Sequence, residues 1–305
     1  MNDLQRIETE QINPRTIHID QADTLSMLRM INAEDQLVAQ AVAGVLPNVA
    51  QAVDAIYAAM LRGGRLIYCG CGTSGRLGIL DAVECPPTYG TDPGLVVGLM
   101  AGGLGAFVKA IEGAEDNRAM GVEDLKSIDF SKDDVLVGIA ASGRTPYVLG
   151  AMDYARALGA PVIALTSNPG SELSRHADIS IEPRTGPEAV AGSTRMKSGS
   201  AQKMVLNMLS TAVMIKLGKV YGNLMVDVRA TNEKLVHRAV SIVCTATGVS
   251  EQEAKDALDA CGQSCKLAIV SILLGCGVEE AQARLDAAQG HIGRAIAQAA
   301  KGEAP

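Results

Sequence analysis

The chain has no tryptophan and two phenylalanines, and aromatics make up 3% of its 305 residues, so its core must be aliphatic. It is also short of positive charge: 27 Lys and Arg stand against 34 Asp and Glu, a net charge of −7. That balance argues against a general nucleic-acid binder, because no sequence-independent attraction to phosphates is built in. A small anionic substrate held by a local basic site stays open. No apolar run is long enough for a bilayer; the stretches at Val205–Leu217 and Leu267–Leu274 are too short or too interrupted. The four histidines, His18, His176, His237 and His291, are scattered, with no metal-ligand spacing and no Ser/His/Asp order. Seven cysteines is an odd count. Cys69 and Cys71 lie too close for a structural clip, Cys261 and Cys265 fit one helical turn, and neither pair has the second half of a zinc motif. They read as reduced, small apolar residues. Met1–Gln11 is polar and acidic, unlike a secretory signal. The expectation is a cytoplasmic protein with no membrane and no nucleic-acid partner.

A composition 48% hydrophobic and 20% charged is that of a globular chain, and its length suits about two domains. Residues 1–20 lack periodicity and are expected to form a loosely ordered arm. From Gln21 the pattern is helical: Val38, Val42, Val45, Val49, Val53, Ile56 and Met60 recur at three and four residues. Pro47 suits the first turn of a second helix, and Gly63-Gly64 stops it. Short β-rich runs follow at Arg65–Cys69, Leu95–Leu99, Val135–Ile139, Val162–Thr166 and Ile179–Ile181. Helical stretches such as Ser74–Ala82, Ala106–Glu112 and Pro146–Leu158 lie between them. This alternation predicts an α/β fold with a doubly wound, mainly parallel five-stranded sheet. Met204–Leu217 and Asn223–Val243 read as long helices. Residues 249–298 are Ala-rich and broken near Gly248, Gly262, Gly275–Gly277 and Gly290, which predicts three or four short helices. The expected division is 1–56 for arm and helices, 57–220 for the sheet domain, 221–248 for a connecting helix and 249–305 for a small helical domain.

In parallel sheets ligands sit beyond the carboxyl ends of the strands. The loop after the first strand is Gly70-Cys71-Gly72-Thr73-Ser74-Gly75-Arg76, a literal G-x-G-x-x-G. A dinucleotide site also needs an acid at the end of the second strand, and Val97–Gly102 has none. No P-loop motif occurs. What remains is a Gly-rich turn with Thr73 and Ser74 hydroxyls at a helix N-terminus, which suits phosphate; the plainer reading is a tight turn with its cap. Ala140-Ala141-Ser142-Gly143-Arg144-Thr145-Pro146 repeats the pattern after the third strand. A third segment, Gly192-Ser193-Thr194-Arg195-Met196-Lys197, leads into the long apolar helix. With Arg76, Arg144, Arg195 and Lys197, the three loops make a plausible anion pocket, and their hydroxyls suit a sugar phosphate. Two acids stand near this rim: Glu84, just before Pro86-Pro87, and Glu115, in Gly113-Ala114-Glu115-Asp116. Either suits acid–base work, though a carboxylate at a helix end is most often solvated surface.

Several segments together resemble one family: Gly63–Tyr68, GTSGRLG at Gly72–Gly78, ECPPT at Glu84–Thr88, GAED at Gly113–Asp116, GIAASGRTPYV at Gly138–Val148, GSTRMK at Gly192–Lys197 and GKVYGNLMVDV at Gly218–Val228. From about Thr9 to about Ala295 the chain resembles the N-acetylmuramic acid 6-phosphate etherases of the sugar isomerase (SIS) superfamily. The resemblance implies a SIS-type sheet sandwich. It implies cleavage of the D-lactyl ether at C3 by elimination and then hydration, with no metal or cofactor. It implies that Glu84 protonates departing lactate and that Glu115 is the base at C2. Thr73, Ser74, Gly75, Ser142, Arg144, Thr145, Ser193 and Arg195 become the expected phosphate- and substrate-binding residues. A homodimer with its site near the subunit interface is expected too. Cys71 stands where the family usually has Ala, which suggests sensitivity to thiol reagents. Two other readings remain: an aldose–ketose phosphate isomerase on the same fold, which releases no lactate, and a non-catalytic sugar-phosphate sensor, which has no need of both glutamates.

Overall fold

A computed structural model describes residues 7–109, 111–228 and 233–302. In chain order its elements are α1 (Thr24–Ala43), α2 (Leu46–Met60), β1 (Leu66–Gly70), α3 (Gly72–Tyr89), β2 (Val96–Met100), α4 (Gly105–Val108), α5 (Arg118–Ser127), β3 (Val135–Ile139), α6 (Pro146–Leu158), β4 (Val162–Leu165), α7 (Glu172–Arg175), β5 (Ile179–Ile181), α8 (Lys197–Lys216), β6 (Val220–Tyr221), β7 (Leu224–Met225) and α9 (Glu233–Thr247). Four short helices close the chain: α10 (Glu251–Ala260), α11 (Cys265–Leu274), α12 (Val278–Ala287) and α13 (Ile292–Ala300). The chain divides into two compact units, Met1–Val83 with Pro93–Ser210, and Glu84–Asp92 with Thr211–Pro305.

The first unit is built on a five-stranded sheet of order β2-β1-β3-β4-β5, every pair parallel. β1, β3 and β4 are buried along their whole length, which explains why their sequences are apolar without alternation. α6 starts at Thr145 with Pro146 in its first turn and ends at Gly159, whose φ is +82°. It lies close on β3 because Gly138 has no side chain; a Cβ there would come within 2.6 Å of the Met152 sulfur. Leu125, Leu136, Tyr147, Val148 and Met152 form the centre of this core. Truncating one such fully buried aliphatic to Ala costs about 2–5 kcal/mol. β1 and β3 are neighbours with Gly70 opposite Ile139, so the loops that leave their carboxyl ends start side by side where the strand order reverses.

Several expectations change. The arm is docked from Ile7 onward, and residues 1–6 lie outside the described residues. Thr9, Asn13 and Thr16 are buried. Thr9 receives the Asn168 amide on its hydroxyl and the Gly192 N–H on its carbonyl, while Asn13 and Thr16 donate to the carbonyls of Pro187 and Ala189. α3 does not stop at Ala82: it carries Pro86 and Pro87 inside its last turns, where the two missing N–H groups leave the carbonyls four residues earlier without their usual helical donors, and Gly90 N–H closes the end on Pro86 O at 2.9 Å. The expected helix at Ala106–Glu112 is only α4, four residues long. Residues 220–225 form a hairpin around Gly222, φ +59°, so the expected helix Asn223–Val243 does not start at Asn223; α9 is described from Glu233. Cys261 ends α10 and Cys265 opens α11, so the two do not share a helical turn. Most of the apolar side chains of α8 are buried, among them Val205, Leu206, Leu209, Val213 and Met214, whereas Ile215 is exposed.

In the second unit Val240, Val243, Leu258, Ile269 and Leu285 pack together, and Asp227 pairs with Lys219 and Lys266 at 2.8 Å each. A capping box at Ser250 and Glu253 starts α10. Among the described residues no single helix is long and apolar enough to cross a membrane.

Candidate active site

The first loop turns sharply at Gly72, φ +54°, directly into α3. Gly70 and Gly75 close against one another: a Cβ on Gly75 would sit 2.8 Å from Gly70 O. Thr73 is half-buried and makes no side-chain hydrogen bond among the described residues. Ser74 is buried, and its hydroxyl donates to Gln202 Oε1 of α8 at 3.0 Å. Arg76 has two of its three guanidinium nitrogens drawn away from the expected anion pocket. Its guanidinium donates to Phe107 O and Ala106 O at 2.8 Å each, holding α4. Deeper in the same helix Asp81 accepts from Tyr68, Asn207 and Ser210, which ties β1, α3 and α8 together.

The second loop turns at Gly143, φ +69°, where a Cβ would overlap Ser171 at 2.3 Å. Ser142, Arg144 and Thr145 are half-exposed, with no side-chain hydrogen bond among the described residues. In the third segment Ser193 is half-buried and Arg195 exposed. Lys197 is fully buried and donates to Glu34 Oε2 at 2.6 Å, so it too is taken from the anion pocket. Glu188 caps the start of α8 by accepting from the N–H groups of Lys197 and Ser198, 2.9 Å each. Arg15 grips Glu34 from its other side, and chiefly for that reason, helped by Lys197, the Glu34 carboxyl is held down at about 2.

Glu115 is exposed at the rim of a cavity of about 250 Å³, lined also by Cys71, Gly72, Arg76, Met100 and Ile111. Cys71 Sγ lies 3.8 Å from Glu115 Oε2. Burial, then the Glu115 charge, pushes the thiol up to about 11. Thr73 and Arg195 line another cavity, about 430 Å³, with Asp35, Ser200, Lys203 and Met204. The loops after β1 and β3 thus start together, whereas Thr73 and Glu115 face different cavities. Glu84 is exposed on α3 and belongs to the second unit. Among the described residues no cluster of three or more His, Cys, Asp or Glu could hold a metal ion. Sequence reasoning missed Gln202; the available signal was an amide set among the apolar positions of α8, which carries a second amide, Asn207.

The parallel sheet and its paired Gly-Ser loops define a SIS domain protein. The SIS domain family matches residues 125–212, the glucokinase regulatory protein N-terminal SIS domain matches 48–156, and the C-terminal lid domain of glucokinase regulatory protein matches 222–261. N-acetylmuramic acid 6-phosphate etherase 1 of Vibrio cholerae is 59% identical over 296 residues, covering 97% of this chain and 99% of that protein. The Aeromonas hydrophila N-acetylmuramic acid 6-phosphate etherase is 58% identical over 290 residues, 95% of this chain and 97% of its own. A phosphoheptose isomerase structure from Francisella tularensis is 21% identical with a TM-score of 0.48, covering 63% of this chain and 98% of that one. The chain belongs to the N-acetylmuramic acid 6-phosphate etherase family.

Proposed function

We propose that the chain is a carbon–oxygen lyase that cleaves the D-lactyl ether of N-acetylmuramic acid 6-phosphate, giving N-acetylglucosamine 6-phosphate and D-lactate for cell-wall sugar recycling. One observation carries the reading: identity of 59% over nearly the whole chain to a protein of that name. The open-chain sugar has an aldehyde at C1, which acidifies the C2 proton. Glu115 takes that proton, the C3–O bond breaks, and Glu84 protonates the departing lactate oxygen. The C2=C3 double bond left behind is conjugated with the aldehyde. Water then adds at C3, losing a proton to Glu84, while Glu115 returns a proton to C2. The loops after β1 and β3, with Ser193 and Arg195, hold the phosphate and the sugar body, and Arg195 is the cation offered to the lactate carboxylate.

The chain acts as a homodimer with its site near the subunit interface. Exposed apolar side chains support this: Leu104 and Val108, 77% and 90% exposed, stand close in sequence to Glu115. Sedimentation at micromolar concentration checks it, and a monomer only would contradict it. Turnover in D₂O tests the mechanism. Elimination and rehydration put deuterium at C2 of the N-acetylglucosamine 6-phosphate formed. Full lactate release with protium retained at C2 would overturn the elimination.

A further inference from the structure

Gln202 is 1% exposed, on the stretch of α8 that belongs to the first unit. Its Oε1 accepts the Ser74 proton. Its Nε2 is buried and has no hydrogen-bond partner among the described residues. A buried amide donor without an acceptor is costly and asks for a reason. The two ends of a carboxamide have the same shape and differ only in that one donates and the other accepts. A half-turn about the last side-chain bond exchanges them. Nε2 then donates to Ser74 Oγ, and the Ser74 proton is released.

That proton matters for the loop in which Ser74 stands. A phosphate group at neutral pH presents mainly acceptors, so a serine whose single proton is given to Gln202 has nothing to offer it. After the half-turn the hydroxyl donates outward, beside the backbone N–H groups at the start of α3. We propose that Gln202 is a positioning residue: its carboxamide turns to donate to Ser74 Oγ and frees the Ser74 proton for a phosphate-class oxyanion at the Gly72–Gly75 turn. The proposal rests on the reading of that turn as a phosphate site.

The test measures inorganic phosphate affinity by calorimetry, and KM and kcat for N-acetylmuramic acid 6-phosphate, in Gln202→Glu, Gln202→Met, Ser74→Ala and the Ser74→Ala/Gln202→Glu double variant. A carboxylate at 202 keeps the hydrogen bond seen here but cannot donate, so it locks the Ser74 proton inward. Gln202→Glu should weaken phosphate about tenfold and raise KM about tenfold with kcat nearly unchanged, the loss expected for one hydrogen bond to a charged group. Ser74→Ala should lose about as much. Gln202→Met, which neither traps the Ser74 proton nor donates to Ser74 Oγ, should weaken phosphate by about threefold, less than Gln202→Glu and Ser74→Ala. In the Ser74→Ala background Gln202→Glu should add less than about twofold, because the effect passes through Ser74. A purely structural role predicts the reverse order, with the bond-preserving Glu variant the milder. A further tenfold loss in the Ser74→Ala background would show simple charge repulsion and overturn the proposal. If Gln202→Glu does not fold, a Met variant as weak as Ser74→Ala overturns it equally. Phosphate affinity unchanged by Ser74→Ala would remove the phosphate reading of the turn, and the proposal with it. Absence of lactate release with the binding pattern intact would refute only the etherase chemistry.

Discussion

After β1 and after β3 the sequence follows one pattern, small residues and then Ser-Gly-Arg, yet Ser74-Gly75-Arg76 lies in the first turns of α3 whereas Ser142-Gly143-Arg144 precedes α6, and their side chains end in different states. In the first, Ser74 is buried against Gln202 and Arg76 is spent on the carbonyls of Ala106 and Phe107. In the second, Ser142, Arg144 and Thr145 are half-exposed and free of side-chain partners among the described residues. The first turns at Gly72, before its serine, and the second at Gly143, after it. What also differs is whatever packs behind each loop, α8 and α4 in one case and the Ser171 turn in the other. A local motif thus fixes where a loop begins, while distant residues decide which of its donors remain for a ligand.

The proposed reading gives proton transfer to Glu115, at the cavity beside the first loop, and binding to the hydroxyls of both loops, and the largest expected effect probes this division of roles. Glu115→Gln should lower kcat about 10²- to 10⁴-fold, the usual worth of a positioned acid or base. Thr145→Val should instead raise KM and leave kcat nearly intact. A kcat loss of similar size in Thr145→Val would erase the division. Next comes stability. Gly143→Ala must meet Ser171 and hold a left-handed backbone, so it should cost about 2–4 kcal/mol. Gly72→Ala, left-handed but open, should cost about 1 kcal/mol. Denaturant titration of the two variants ranks them.

The third segment, Gly192–Lys197, adds a pH test. The Glu34 carboxyl is held at about 2, below its ordinary 4.5, so its contribution is complete above about pH 4.5 and is lost as pH falls towards 2. The stability gap between the natural chain and Glu34→Gln should therefore shrink over that window, by about 2 kcal/mol. A gap that widens on acidification would contradict the assigned ion pair. A smaller effect is expected of Arg76→Met, which frees the carbonyls of Ala106 and Phe107 and should speed amide exchange around α4. Its counterpart Arg144→Met should leave stability within about 0.5 kcal/mol. Smallest is Cys71. With its thiol raised to about 11, alkylation at pH 7 should be slow and should accelerate steadily with pH. Fast labelling at neutral pH would contradict the contact with Glu115.

The five strands were legible in the sequence within a residue at most ends, because doubly buried parallel strands are short apolar runs bounded by Gly and Pro. Pro146 and Gly159 bounded α6 for the same local reasons. The loops that carry Thr73 and Ser142 were legible from their position after strands. Long-range partners were not. Nothing near Ser74 announces Gln202, and nothing near Lys197 announces Glu34 of α1, so a lysine counted towards an anion pocket is in fact a buried structural cation. The helical stretch read as ending at Ala82, before Pro86-Pro87, whereas α3 continues through both prolines to Tyr89. The docked arm was hidden because its partners lie at Asn168, Pro187, Ala189 and Gly192.

The most direct measurement is to incubate the purified chain with N-acetylmuramic acid 6-phosphate, without added metal or cofactor, and to assay D-lactate against time. The account predicts one D-lactate for each N-acetylglucosamine 6-phosphate formed, with release slowed at least about 10²-fold in both Glu84→Gln and Glu115→Gln. No lactate from the natural chain, while the sugar phosphate still raises its Tm, would contradict the etherase and leave a binding protein or an isomerase of another sugar phosphate.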